Sequence, residues 1–216
     1  GVAAEATAAG AAGVLPLAAD LRDPAEPARV VAAVREKFGR LDGLVNNAGA
    51  TKRGDFLTLS DEDYADGFAL KFHGAVRMCR AAWPALMETN GAIVNIAGAS
   101  AHTPTPDFTI GGPVNSAVVN FSKALANRGI EDGVRVNCVC PGHVRTERLD
   151  QRVRVRAERD GLDLDAAREV LRREYGISRF GESREIAAVI AFLLSPEAAY
   201  IQGAVIDVDG GARRGI

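Results

Sequence analysis

No apolar stretch in these 216 residues reaches 18, so the sequence offers no transmembrane helix. Charge of one sign is lacking too: 26 Lys plus Arg stand against 28 Asp plus Glu, a net charge of -2. So nearly neutral a chain has no overall electrostatic case for nucleic acid or for an anionic membrane. Cysteine is scarce, with only Cys79, Cys138 and Cys140 and no CxxC pair. Cys138 and Cys140 flank Val139 in a strand-like run, so their side chains share one face. Buried free thiols in a reducing cytosol account for all three better than a disulfide or a zinc site, which predicts a cytoplasmic chain without metal. Internal repeats and low-complexity linkers are absent. What is present is an ordinary globular mixture, 47% hydrophobic and 25% charged, which excludes disordered, collagenous and disulfide-scaffold classes. The length suits one domain rather than two.

Strand and helix signals alternate along the chain. Short apolar runs occur at Val14–Ala19, Leu41–Val45, Ala92–Ala97, Val134–Cys140 and Ala204–Val208. Between them, Val30, Val31, Val34 and Phe38 recur at helical spacing before Gly39, which suits a helix C-cap. Ser60 with Asp63 three residues on forms a plausible cap for a long helix towards Met87, which Pro84 should kink or end. Further helices fit Val114–Arg128 and the stretch holding Ile186, Val189, Ile190 and Leu193. Five apolar strands separated by helices predict an α/β fold, a parallel sheet covered on both faces. Ligands in such folds bind beyond the carboxyl ends of the strands, here after Ala19, Val45, Ala97 and Cys140. Residues 145–185 break the rhythm with 11 Arg and 10 Asp plus Glu, a pattern that fits solvated helices and also a lid over a substrate pocket.

The phrases LDGLVNNAG, GAIVNIAG, FSKALA, GVRVNCVCPGHVRT and ISRFGESREIAAVIAFLLSPEAAYIQGAVIDVDGG, in this order, resemble the short-chain dehydrogenase/reductase family from about Val14 to Gly211. That resemblance implies a doubly wound, Rossmann-like three-layer α/β/α domain over 1–216, with 145–185 as the lid. It implies NAD or NADP as cofactor and secondary alcohols or ketones as substrates. Asn47, Ala48 and Gly49 would let the backbone approach a ribose, where a Cβ collides. Asp20 and the Leu21 amide would meet the adenine, and Pro141, Gly142, Val144 and Thr146 would pass the nicotinamide carboxamide. Each also has a plain structural role open to it, Asp20 as a cap and Pro141–Gly142 as a turn. Members often pair through the long helices, here near Asp66–Met87 and Val114–Arg128, which implies a homodimer or homotetramer.

The chain departs from the family at its catalytic positions. The family uses a Tyr acid/base, acidified by a Lys four residues on, with a Ser steadying the substrate oxygen and an Asn holding a water relay. A free Tyr titrates near ~10 and needs such a cation to act near neutral pH. Here the Ser position holds Gly98, the Tyr position Gly111, the Lys position Asn115 and the Asn position Lys71. Lys71 and Asn115 look like an exchange between facing slots, which would keep a cation beside the nicotinamide ribose. Ser100, His102 and Thr109 supply polar groups nearby, and His102 with Asp107 would make an oriented acid/base pair; His143 is a further histidine within reach. His73 and Trp83 suit packing.

Three functions fit these residues: an atypical NAD(P)-dependent oxidoreductase, a cofactor-binding partner subunit without catalysis, or another chemistry on the same fold, such as elimination, using His102 or Lys71. The family opens with a strand, a Gly-rich TGxxxGxG turn and a helix. Nothing upstream of Val14 supplies them, and GVAAEATAAG reads as the tail of a helix, so the sequence is expected to be incomplete at its start. The segment that separates NAD from NADP falls in that opening.

Overall fold

The computed structural model describes residues 2–215. After a short helix α1 (Val2–Ala8), helix α2 (Glu26–Phe38) ends on Gly39 at φ 76, whose amide donates to the Arg35 carbonyl. That left-handed φ is why a glycine stops this helix. The sheet then forms from β1 (Gly43–Asn46), β2 (Ala92–Ile96), β3 (Arg135–Pro141) and β4 (Val205–Val208), all parallel, in the order β1-β2-β3-β4. Parallel neighbours require crossovers, and helices make each of them.

Between β1 and β2, Ser60 and Asp63 close a reciprocal capping box and start α3 (Asp61–Phe68). A π-helical turn over Ala69–Gly74 follows, then α4 (Ala75–Thr89). Pro84 does not end this helix: it sits exposed, while Ala82, Ala85 and Leu86 beside it are buried, so packing of that face carries the helix through. Helix α5 (Gly111–Asp132) joins β2 to β3 and starts three residues before the expected Val114. Between β3 and β4 come α6 (Glu147–Asp160), α7 (Leu164–Glu174) and α8 (Ser183–Leu194).

Alternation along the strands builds the two faces. Ile93 and Val136 pack with Met78, Cys79, Ala82 and Leu86 of α4 and Ala126 of α5, with Val31 of α2 behind them. Val94, Ile96 and Val139 point the other way, onto Leu193 of α8. Layers on both faces are what near-continuously apolar strands demand. Asn95 is fully buried on the first face, yet its Nδ2 donates to Ser122 Oγ at 2.9 Å and its Oδ1 accepts from Asn46 Nδ2 at 2.8 Å. Arg135 lies at the carboxyl end of α8 and donates to the carbonyls of Leu193 and Ser195, satisfying acceptors that the helix leaves open.

One expected strand does not form. Val14–Ala19 takes no ladder, and among the described residues the sheet has four strands rather than five. A strand needs a neighbour to satisfy its amides, and among the described residues none runs beside this segment. It is tied down by side chains instead, with Arg29 donating to the Ala18 carbonyl at 2.6 Å. The charge-dense segment folds as the helices α6 and α7, which enclose a small cluster of their own around Leu149, Val153, Ala167, Leu171 and Phe180. Among the described residues no helix is long and apolar enough to cross a membrane.

Candidate functional site

The carboxyl ends of β1, β2 and β3 open into a cavity of about 640 Å³. Asn47 and Gly49 line it from the turn after β1, Gly98 and Ser100 from the loop after β2, and Pro141, Gly142, Val144 and Thr146 from the end of β3 and the loop that follows. Lys71, Phe108 and Asn115 close its floor, and Arg148, Leu149 and Arg152 of α6 border its far side. Seven of the sequence-predicted site positions, at the ends of β1 and β3 and in the loops that follow, surround this one space, Ala48 lying between the lining residues Asn47 and Gly49. Asp20 and Leu21 lie outside it: Asp20 Oδ1 accepts from the Arg22 amide at 3.0 Å, and Leu21 packs beneath Gly74.

Lys71 occupies the π-helical turn, whose widened spacing re-aims side chains and recurs at functional sites. Its stem passes so close to Gly49 that a Cβ there would lie 2.9 Å from Lys71 Cδ, which is why this position takes glycine. Its Nζ donates to the Ala97 carbonyl at 2.8 Å. Burial, assisted by the Arg148 guanidinium, pushes the ammonium down from its usual 10.5 to about 8. Arg148 in turn donates to the Gly49 carbonyl at 2.7 Å, linking α6 to the turn that Lys71 underlies.

Asn115 lines the same cavity. It is 4% exposed, its Nδ2 donates to Ser100 Oγ at 2.7 Å, and its Oδ1 is buried without a partner. Gly98 lies against this amide. At Gly111 the reason for the missing phenol is steric: a Cβ would sit 2.0 Å from the Phe108 ring. Phe108 therefore fills the space that a side chain at 111 needs, and the Arg53 guanidinium lies 3.9 Å over the same ring.

The proposed His102–Asp107 pair does not form. Asp107 is taken by Arg53 at 2.7 Å and by Thr105 at 2.6 Å, while His102 turns towards Cys140 and Asp207. The Arg53 guanidinium and the Thr105 hydroxyl each take one oxygen of the Asp107 carboxylate, which leaves His102 to other partners. Thr109 accepts from the Tyr64 hydroxyl at 2.9 Å. His143 stacks on Tyr175 with ring centroids 3.5 Å apart, and burial beside Arg152 and Arg53 pushes it down to about 4. It is a neutral wall of the cavity rather than a proton shuttle. Trp83 packs on the α4 face and donates to Asp132 at 2.7 Å, and His73 meets the Phe72 ring edge-on. Arg53 was missing from the sequence reading; Phe108 lies in the 100–110 segment expected to wall the pocket, and Arg148 and Arg152 in the arginine-rich 145–185 segment, but none of the three was singled out.

The buried, unpartnered Asn115 Oδ1 and the glycine-walled turn leave an acceptor and close backbone approach at one end of the cavity, which fits a planar amide-bearing ring such as nicotinamide. The family model described as "Enoyl-(Acyl carrier protein) reductase" matches residues 1–213. Meso-2,3-butanediol dehydrogenase of Serratia marcescens is 35% identical over 193 residues, covering 89% of this chain and 72% of that protein. L-sorbose reductase of Gluconobacter frateurii, solved with NADPH and L-sorbose, superposes with a TM-score of 0.93 at 31% identity, covering 99% of this chain and 82% of the other. A short-chain oxidoreductase of Pseudomonas aeruginosa, solved with NADPH and described as containing an atypical catalytic center, superposes at 0.82 with 30% identity, covering 91% and 75%. Parallel sheet, strand-end cavity and these matches agree, and the chain belongs to the short-chain dehydrogenase/reductase family of NAD(P)-dependent oxidoreductases.

Proposed function

We propose that the chain interconverts a carbonyl and a secondary alcohol on a substrate bearing an anionic group, with Lys71 taking the place of the family's tyrosine as proton donor and acceptor. Lys71 carries this reading: it is a half-buried ammonium on the cavity floor, held by one carbonyl and titrating near 8. A group poised close to the working pH is the one that exchanges protons efficiently.

Asn47 and Gly49 on one side, and Pro141, Gly142, Val144, Thr146 and the free Asn115 acceptor on the other, would hold the nicotinamide and its ribose. The nicotinamide supplies or accepts the hydride. Lys71 Nζ keeps one hydrogen bond to Ala97 and presents its remaining protons to the cavity, where one passes to the substrate oxygen as that oxygen gains charge. Asn115 fixes Ser100 Oγ, which offers the oxygen a second donor. His143 and Phe108 exclude water from that end, and so strengthen both interactions.

The anionic substrate follows from the charges around the cavity. Arg53, Lys71, Arg148 and Arg152 line it, and Glu147 is the only carboxylate among the described lining residues. α6 and α7 act as the lid, with Arg148 and Arg152 of α6 supplying its inner surface. The three reduced thiols suit a cytoplasmic setting, and pairing through α4 and α5 would give a homodimer or homotetramer, read directly by light scattering after size exclusion.

Turnover of NADPH and NADH over a panel of 2-oxo acids, matched neutral ketones and their alcohols tests the proposal. It expects turnover favouring the acids, lost in Lys71→Met. No turnover on any member, or turnover undiminished in that variant, overturns the role of Lys71.

A further inference from the structure

Three side chains outside the cavity just described converge with no use assigned to them. Cys140 of β3 and Asp207 of β4 are partners in register, so their side chains leave the same face of the sheet side by side. His102 reaches them from the turn after β2, where its amide donates to the Ala99 carbonyl. His102 Nε2 lies 4.0 Å from Cys140 Sγ and 3.8 Å from Asp207 Oδ1, and all three donor atoms fall within 4.8 Å of one another.

The arrangement is not a relay. A Cys–His–Asp relay uses the two imidazole nitrogens, one for each partner. Here the same nitrogen faces both the sulfur and the carboxylate, so the three atoms surround a point rather than a line. The His–Asp separation is also beyond hydrogen-bond range. Asp207 Oδ1 is buried without a partner, a costly state for a carboxylate oxygen. Its other oxygen is occupied, since Arg213 donates to Oδ2 at 2.6 Å and so turns Oδ1 towards His102 and Cys140. Carboxylates that bind metals are oriented by outer hydrogen bonds of this kind.

We infer that Cys140, His102 and Asp207 form a three-ligand site for a borderline divalent ion of the zinc type. Zinc bonds of about 2.3 Å to sulfur and about 2.0–2.1 Å to nitrogen and oxygen place tetrahedral ligands roughly 3.3–3.6 Å apart. The observed separations need to contract by a few tenths of an ångström for the closer pairs, within reach of side-chain rotation. Thiolate, imidazole and carboxylate together favour zinc or cobalt over magnesium or calcium, which take oxygen ligands. Thiolate and carboxylate balance the ion's two charges. The side chains of His102 and Asp207 keep 23% and 22% of their surface exposed, which leaves a route of entry and a fourth position for water.

Cobalt titration of the chelator-treated protein reads the site without reference to turnover. One equivalent of Co²⁺ should produce a thiolate-to-cobalt charge-transfer band and the visible bands of four-coordinate cobalt, both erased by one equivalent of Zn²⁺. Cys140→Ser should lose the charge-transfer band, while His102→Gln and Asp207→Asn should each weaken binding roughly tenfold or more. Cys138→Ser, on the same face but outside the cluster, should keep the band. Absence of the band in the unaltered chain, its survival in Cys140→Ser, or unchanged affinity in both other variants overturns the site. Because Cys140 is buried and its replacement risks misfolding, zinc-edge X-ray absorption on the unaltered protein gives a second reading. One sulfur with two or three light ligands supports the site; no sulfur, or two, overturns it.

Discussion

Lys71 is a charge that folding has partly taken from water, and its titration has consequences for stability as well as turnover. Between about pH 8 and 10.5 the unfolded chain keeps a proton there that the folded chain has released. Stability therefore rises with pH across that window, and below it the burial penalty is present in full. Lys71→Met should flatten the rise, which thermal unfolding at pH 7, 8, 9 and 10 will measure against the unaltered chain. The same proton sets the kinetics: reduction needs the ammonium, so its rate should fall above about pH 8 while the reverse oxidation gains. Replacing Lys71 should lower turnover by about 10²-fold or more, the usual contribution of a positioned acid. Gly111 makes the complementary point. Gly111→Tyr should not restore a family-type site but destabilise the protein by roughly 1–3 kcal/mol, because the new side chain meets the Phe108 ring. Adding Phe108→Ala should recover part of that loss, a coupling that a double-mutant denaturation cycle reads.

At the level of elements, α6 and α7 are separate in their packing. Leu149, Val153 and Ala157 of α6 meet Ala167 and Leu171 of α7, with Ile177 and Phe180 beneath, and this cluster is distinct from the three that cover the sheet. Arg156 ties the pair together by binding Glu174 across it and Asp160 within α6. Leu171→Ala should cost the α6–α7 pair about 2–5 kcal/mol locally. Hydrogen exchange over 147–174 should then quicken while β2 and β3 keep their protection, and KM for the substrate should rise with less change in kcat, since Arg148 and Arg152 stand on the loosened helix. Equal loss of protection across sheet and lid would show that the two unfold as one unit.

Most of these elements were readable before the structure because their signals are local: the Ser60–Asp63 box, Gly39 at a left-handed φ, and apolar runs that end on small residues. The run at Val14 misled because a strand is a pairing and not a property of six residues, so its pattern could be right and its ladder absent. Pro84, expected to kink or end the long helix, does not end it, because burial of Ala82, Ala85 and Leu86 carries α4 through. The site divides along the same line. Lys71, Gly98 and Asn115, picked out in the sequence by their spacing from family motifs, line the cavity, while Gly111 lies against the Phe108 ring. His102 was legible as a residue but not in its partners, because Asp207 lies 105 positions away and becomes a neighbour only through strand register with Cys140. All three cysteines are buried and free, as the sequence predicts.

For the molecule as a whole, the strand-end cavity joins turns from β1, β2 and β3, so whatever fills it crosslinks three strands and α6 at once. A ligand that binds only the folded chain stabilises it by mass action, about 2.7 kcal/mol at a hundred times its Kd. For a chain of this size that corresponds to a rise in Tm of roughly 5–10 °C. NADPH and NADH should both be titrated, and the one acting at lower concentration identifies the preferred cofactor. Reduced nicotinamide mononucleotide isolates the half of the cofactor that the cavity residues would grip, and it should keep a measurable part of the shift, because Asp20 and Leu21 lie apart from the cavity. Gly49→Val should remove the shift for all three compounds: its Cβ would displace the Lys71 stem and so disturb the turn and the cavity floor together. A shift that survives in Gly49→Val would place the cofactor somewhere other than this cavity.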